Sequence, residues 1–179
     1  MIRLLTAIPA LIAAFFILAA PADAQTNRPK DVLKKKHGDW EVRCLEGTNT
    51  CAMSQVGKTS DGKRAILITI QRISGAKTKD GKKIEAAMTS QTPLGILLPY
   101  GLRIKIDKDK VVPLPLARCL PAGCVSQAPM LGEAVTKMKK GSKAVYGFFL
   151  EKEILVNISL KGFTAAFDSL APVPAKPKK

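Results

Sequence analysis

Four cysteines in two close pairs set the tightest limit on how this chain can fold. Cys44 and Cys51 enclose six residues; Cys119 and Cys124, in RCLPAGC, enclose four. Bridge, redox pair or half a metal site are the readings, and the compartment in which the chain folds decides among them. The compartment is read at the other end of the sequence. Arg3 precedes an uncharged apolar run from Leu4 to Ala20, and Ala22-Asp23-Ala24 puts small residues at the two positions a signal peptidase reads. This is the plan of a secretory signal over residues 1–24, with cleavage expected between Ala24 and Gln25. An uncleaved anchor is the alternative, but the run is at the short limit for crossing a bilayer and Pro9 interrupts its helix. No apolar stretch of spanning length follows, so the exported chain is expected not to span a membrane. The expected location is the periplasm, the outer membrane or the cell exterior.

Outside the cytosol thiols oxidise and stay oxidised. Four cysteines allow three pairings, and spacing favours the two local ones without fixing them. A Pro-Ala-Gly turn can return the chain from Cys119 to Cys124, because Pro121 presets one φ and Gly123 permits a positive one. A thiol oxidoreductase would want two residues between its cysteines, and a zinc site would want tighter pairs. Structural bridges on hairpins are therefore expected.

Residues 25–37, QTNRPKDVLKKKH, are polar and basic and read as a flexible lead-in. From Asp39 to Cys44 the sequence alternates, with Trp40, Val42 and Cys44 on one face, which predicts a half-buried strand and a core tryptophan. Cys51–Val56 reads as its partner. Ala65–Ile73, AILITIQRI, has the β-branched density of a central strand. Residues 74–83 form a charged, glycine-bearing loop, and residues 84–90 a further strand. Leu102–Asp107 alternates cleanly, Lys108-Asp109-Lys110 turns, and Val111–Cys119 follows as one strand held to an edge by Pro113 and Pro115. Leu131, Val135 and Met138 share a helical stripe that Gly141 ends. Strands over 144–150 and 154–160 and a short helix carrying Phe163, Phe167 and Leu170 complete a domain over 38–170. The Pro/Lys-rich residues 171–179 are expected to be disordered. Many short strands without a βαβ rhythm define an all-β, antiparallel sandwich with one or two short helices.

Five stretches, in order, resemble the invasion-associated locus B (IalB) family of exported bacterial proteins. They are GDWEVRC at 38–44, CAMSQ at 51–55, TPLGILLPYGLRIKID at 92–107, RCLPAGC at 118–124 and VNISLKGFTAAFDSL at 156–170. The resemblance covers nearly all of the exported chain. It implies an immunoglobulin-like sandwich and export, and, for pathogenic members, a link to invasion of host cells. It carries over no catalytic residues and no cofactor. Tyr100 stands where a small residue is common in the family.

Catalytic chemistry finds little support. His37 is the one histidine, and it follows three lysines; there is no G-x-S-x-G elbow and no H-E-x-x-H. The alternative is an envelope enzyme or enzyme-accessory domain with a carboxylate pair assembled from scattered acids. The net charge is +15, and it is unchanged by cleavage because Arg3 and Asp23 leave together. Such an excess concentrates polyanions near the surface, unless it serves solubility alone. No aromatic residues interleave with the basic runs, so nucleic acid is not the expected partner. Anionic envelope lipids or glycans, or polyanions of a host surface, are. The candidate anion-binding residues are Lys34, Lys35, Lys36, Lys82, Lys83, Lys137, Lys139 and Lys140.

Overall fold

The structure, a computed structural model, describes residues 29–175. The signal segment, residues 25–28 and residues 176–179 lie outside them. In chain order the elements are β1 (Asp31–His37), β2 (Trp40–Leu45), β3 (Cys51–Lys58), β4 (Arg64–Ser74) and β5 (Ile84–Thr92), then a 3₁₀ turn (Leu98–Tyr100). There follow β6 (Leu102–Ile106), β7 (Val112–Leu114), β8 (Leu116–Leu120), β9 (Gly123–Leu131) and α1 (Gly132–Lys140). The chain closes with β10 (Lys143–Phe149), β11 (Glu153–Ser159), α2 (Phe163–Asp168) and β12 (Val173–Pro174).

Two sheets form the antiparallel sandwich the sequence implies. The larger runs β1-β2-β3-β4-β5-β9-β8, with β12 added in parallel to β4; the smaller runs β11-β10-β6-β7. Strand alternation positions the core. Trp40, Val42 and Cys44 of β2 point inward, as do Ala86, Met88, Ser90 and Thr92 of β5. The smaller sheet supplies Ile104, Ala144, Tyr146, Phe148, Val156 and Ile158. The two helices plug the part of the core that it leaves open. Phe163 of α2 meets the edge of Trp40 with ring centroids 5.3 Å apart, and Phe167 stacks on Phe163 at 5.8 Å. Edge-to-face packing suits the aromatic quadrupoles and adds about 0.5–1.5 kcal/mol to the burial of the rings.

In α1, Glu133 lies in the first turn and Lys137, Lys139 and Lys140 in the last, which complements the helix dipole. Gly141 ends it with its N–H on the Lys137 carbonyl, in extended backbone at φ −75°. A Cβ here would stand 2.8 Å from Leu160 Cδ1, 2.9 Å from Asp107 Oδ2 and 3.0 Å from the Lys137 carbonyl oxygen, so a larger residue would have to shift those side-chain ends.

Three expectations are corrected and one strand is added. Residues 31–37 of the lead-in are a strand, paired with β2 from Asp31↔Leu45 to His37↔Trp40. Lysines at a sheet edge look like disorder in sequence, but a charged edge discourages pairing with other chains. The single strand expected over 111–119 breaks at Pro115, where the chain leaves the small sheet as β7 and joins the large one as β8. Proline has no N–H for a ladder, so the change of sheet falls where a donor is missing anyway. Strand β9, not anticipated, carries buried Ser126 on its inner face and Pro129 on its outer one, which hides its alternation. Finally, the tail begins ordered: Val173 and Pro174 pair with Ile73 and Ser74, and the Ala175 N–H donates to the Ser74 carbonyl.

Candidate functional site

All four cysteines are bridged, Cys44 to Cys51 and Cys119 to Cys124. Each bridge joins residues directly opposite across an antiparallel pair, with Cα atoms 4.0 and 3.9 Å apart. So short a separation marks positions without ladder hydrogen bonds, where side chains lie closest. The first bridge staples β2 to β3, the second β8 to β9. The turn of RCLPAGC locks against β5: the Gln91 side-chain amide donates to the Ala122 carbonyl at 2.7 Å. Gly123 has φ +131°, and a Cβ there would lie 2.1 Å from the Thr92 carbonyl oxygen. The cysteines are thus structural, and they fit an oxidising location outside the cytosol.

The candidate lysines fall into three groups. Lys34, Lys35 and Lys36 lie exposed on edge strand β1, where the register slips between Leu33 and Lys35. On α1, Lys137 bridges the carboxylates of Glu133 at 3.2 Å and Asp109 at 3.3 Å, and Lys139 meets Asp168 at 2.6 Å. Glu133 first, then Asp109, holds the Lys137 ammonium above its usual range. Their charge is largely spent within the molecule, whereas exposed Lys140 forms no ion pair among the described residues.

The third group is gathered by the β4–β5 hairpin. Lys82 and Lys83 share its tip with Lys77 and Lys79, and all four are exposed. The tip is fixed by local bonds: the Lys82 N–H donates to Thr78 Oγ1 at 3.1 Å, and the Gly81 N–H to the Thr78 carbonyl at 3.1 Å. Lys77 and Lys83 form a bridge across its neck. None of the four has a salt-bridge partner among the described residues; Asp80 is the one acid in the segment. Strand β12 brings Ala175 to the foot of this hairpin, so the C-terminal Lys176-Pro177-Lys178-Lys179 follows from there in sequence. The charge run at 77–83 signals this site in the sequence; that Ala175 reaches its foot is a tertiary fact.

The acids show no convergence. Asp31 and Glu41 pair with Arg43, Asp61 with Lys63 and Glu153 with Arg103. The Asp107 carboxylate accepts from the N–H groups of Ser142 and Lys143 at 2.9 and 3.1 Å. Where two carboxylates share a neighbour, it is a cation: Arg43 for Asp31 and Glu41, and Lys137 for Asp109 and Glu133. No group of three His, Cys, Asp or Glu among the described residues could hold a metal. His37 lies half-buried at the end of β1, and its Nε2 is buried without a hydrogen-bond partner.

Two antiparallel sheets, two helical plugs and a staple on each of two hairpins define a small β-sandwich of extracytosolic type. The family model described as "Invasion associated locus B (IalB) protein" matches residues 40–171, and the chain belongs to that family. Among curated relatives, "Invasion protein B homolog" proteins of Brucella abortus strain 2308 and of Brucella abortus biovar 1 strain 9-941 are each 28% identical over 161 residues. Those alignments cover 87% of this chain and 85% of each relative. The crystal structure of invasion associated protein b from Bartonella henselae superposes with a TM-score of 0.61 at 21% identity, over 78% of this chain and 96% of that one. At that identity the likeness shows the fold.

Proposed function

We propose that this chain is an exported, non-catalytic binding protein of the envelope or cell exterior that holds a polyanionic surface through its basic hairpin. The carrying observation is the exposed, unpaired set Lys77, Lys79, Lys82 and Lys83 on a hairpin stiffened by its own hydrogen bonds. Lysines there act as point charges toward phosphate or sulfate groups, and they lose little conformational freedom of the backbone on binding. The anionic partner is an envelope lipid or glycan or a host-surface polyanion. The relatives' names speak of invasion, and this chain's contribution to host-cell invasion would be through such contacts. The paired acids and bridged cysteines support a role without catalysis.

Retention of the oxidised protein on anionic lipid vesicles and on heparin tests this. It should fall steeply as salt rises from about 0.01 M to about 1 M, over which the screening length shrinks from about 30 Å to about 3 Å. Neutral vesicles should retain little at any salt. Retention indifferent to salt would count against the electrostatic reading.

A further inference from the structure

The large sheet ends at β1 and β8, the small one at β7 and β11. An edge strand offers unpaired main-chain groups to any strand of another chain, and folds guard such edges with lysine, proline, slips of register or brevity. Three of these four edges are guarded. β1 carries Lys34, Lys35 and Lys36 and slips between Leu33 and Lys35. β8 slips between Leu116 and Arg118 and lies between Pro115 and Pro121. β7 is three residues long, with Pro113 in its middle. β11 has seven residues, no proline, no lysine and a ladder to β10 without a slip.

The register shows which of its groups are open. The Leu150 N–H donates to the Lys152 carbonyl and the Leu160 N–H to the Ser142 carbonyl, so the even-numbered residues of β11 bond to β10. Glu153, Leu155, Asn157 and Ser159 turn their N–H and C=O groups to the free side. Ser159 is already closed. The Gln55 side-chain amide donates to its carbonyl at 3.0 Å and accepts from its N–H at 2.9 Å, as a residue of a neighbouring strand would. The main-chain groups of Glu153, Leu155 and Asn157 have no partner on that side among the described residues. All three side chains are exposed, Leu155 to 59%.

The open stretch is complementary to itself. Turned antiparallel about Leu155, a second copy sets Glu153 against Asn157, Leu155 against Leu155 and Asn157 against Glu153, and each of these pairs can exchange two main-chain bonds. Glu153 is the one charged residue of β11; one of its oxygens accepts from Arg103 at 2.6 Å, and the other is free for the Asn157 amide of the second copy. The two leucines, exposed in a single copy, cover each other. In the inward row, half-buried Ile154 meets buried Val156. Other registers fail: an axis at Glu153 sets two carboxylates opposite each other, and an axis at Asn157 drives Leu155 onto Ser159, whose groups Gln55 already holds.

We infer that β11 pairs with β11 of a second copy, antiparallel about Leu155, and joins the two small sheets into one. The contact, Glu153–Asn157 on each side, is in the size class of weak, transient association. The inference is independent of the basic hairpin, which contributes no residue to this edge.

Sedimentation of the oxidised protein from about 1 μM to about 1 mM, the span of weak affinities, reads the association. A reversible equilibrium of monomer and dimer is expected. Leu155→Lys keeps an exposed position exposed but sets two ammoniums opposite each other, and should weaken the dimer at least about tenfold. Leu155→Cys should form a covalent dimer on oxidation, because residues opposite in a hydrogen-bonded pair stand about 5.5 Å apart at Cα, within disulfide reach. Leu98→Cys, equally exposed, should not. In the unaltered protein, the amides of Glu153, Leu155 and Asn157 should exchange with deuterium fast when dilute and slowly when concentrated. Salt should strengthen the dimer by screening two copies of net charge +15, whereas it weakens retention on vesicles. A monomer at every concentration overturns the inference. So does a dimer that Leu155→Lys leaves intact, that salt weakens, or that both cysteine variants capture equally. Protection of the three amides in the monomer also overturns it, since another segment of the chain would then hold the edge.

Discussion

The indole N–H of Trp40 donates to the main-chain carbonyl of Ser159 at 3.0 Å, joining positions 119 residues apart and one sheet to the other. The Gln55 side-chain amide donates to the same carbonyl at 3.0 Å, and its oxygen accepts from the Ser159 N–H at 2.9 Å. Ser159 ends β11, so these bonds fix where the small sheet sits over the large one before the chain turns into α2.

The shared carbonyl makes Trp40 and Gln55 non-additive. Trp40→Phe leaves Gln55 as donor but removes part of a fully buried ring, so with the lost hydrogen bond it should cost about 2–3 kcal/mol. Gln55→Ala leaves the Ser159 N–H unpaired and should cost about 1–3 kcal/mol. Only the double variant strips the carbonyl of both donors. Urea midpoints should show it less stable than the two single losses added together. Simple additivity would mean that solvent already satisfies this carbonyl.

The bridges staple hairpins at separate places in the large sheet, β2–β3 and β8–β9, and should contribute independently. Each closes a short loop, worth about 2 kcal/mol on the chain-entropy estimate. Replacing either pair by alanine should lower unfolding free energy by about that amount, and replacing both by about the sum. Cys124 belongs to the core and Cys51 packs against it, but the stack of Trp40, Phe163 and Phe167 is made by other residues, so the doubly substituted protein should keep its near-ultraviolet circular dichroism. Collapse of that signal on loss of one bridge would show that the staples support the core.

The lysines can be ranked without changing net charge between variants. Lys82→Gln with Lys83→Gln removes two unpaired ammoniums from the hairpin; Lys137→Gln with Lys139→Gln removes two that are already ion-paired. A lysine near an anionic surface is worth about 1 kcal/mol, so the hairpin pair should lose about tenfold to thirtyfold in vesicle affinity at low salt. The helix pair should lose less than about twofold by the same conversion. Equal losses would show that overall charge, not this hairpin, governs retention.

Much of this was legible in sequence where one face is buried and the other wet. The alternation around Trp40 predicts β2, AILITIQRI predicts central β4, and the stripe Leu131, Val135, Met138 predicts α1. The signal failed where tertiary context overrides it. Lysines 34–36 read as solvated chain because nothing local reveals that Val32 and Cys44 will stand opposite each other on paired strands. On β9, Ser126 interrupts the inward row of Cys124, Ala128 and Met130, so the apolar alternation is broken. For the site, the charge run exposed the hairpin lysines, but it gave equal weight to Lys137 and Lys139. The partner of Lys139, Asp168, and one of the two partners of Lys137, Asp109, come from outside the helix; Glu133, four residues before Lys137, was legible within it. An opening between the sheets is lined from β5, β6, β7, β9 and α1 together, and no single stretch signals it.

Tyr146 carries the pH dependence of the core. It is fully buried, its hydroxyl donates to Met88 Sδ at 3.2 Å, and burial pushes its phenol far above the ordinary value of 10.0. In the unfolded chain the phenol loses its proton near that ordinary value, while the folded protein retains it. The unfolded state then binds fewer protons, so stability must fall as pH rises, by about 1.4 kcal/mol per pH unit. Below the ordinary value both states hold the proton and the effect is absent. Tyr146→Phe removes the titration and gives up only a weak bond to sulfur, so near neutral pH it should cost less than about 1.5 kcal/mol. Urea unfolding of both proteins from about pH 8 to about pH 11 spans the ordinary tyrosine value and separates the effect from lysine titration, which they share. The phenylalanine variant should begin equal or weaker and draw level with the parent by about pH 11, the steeper fall belonging to the parent. Parallel curves throughout would mean that water reaches this phenol and that the sandwich is not sealed over β5.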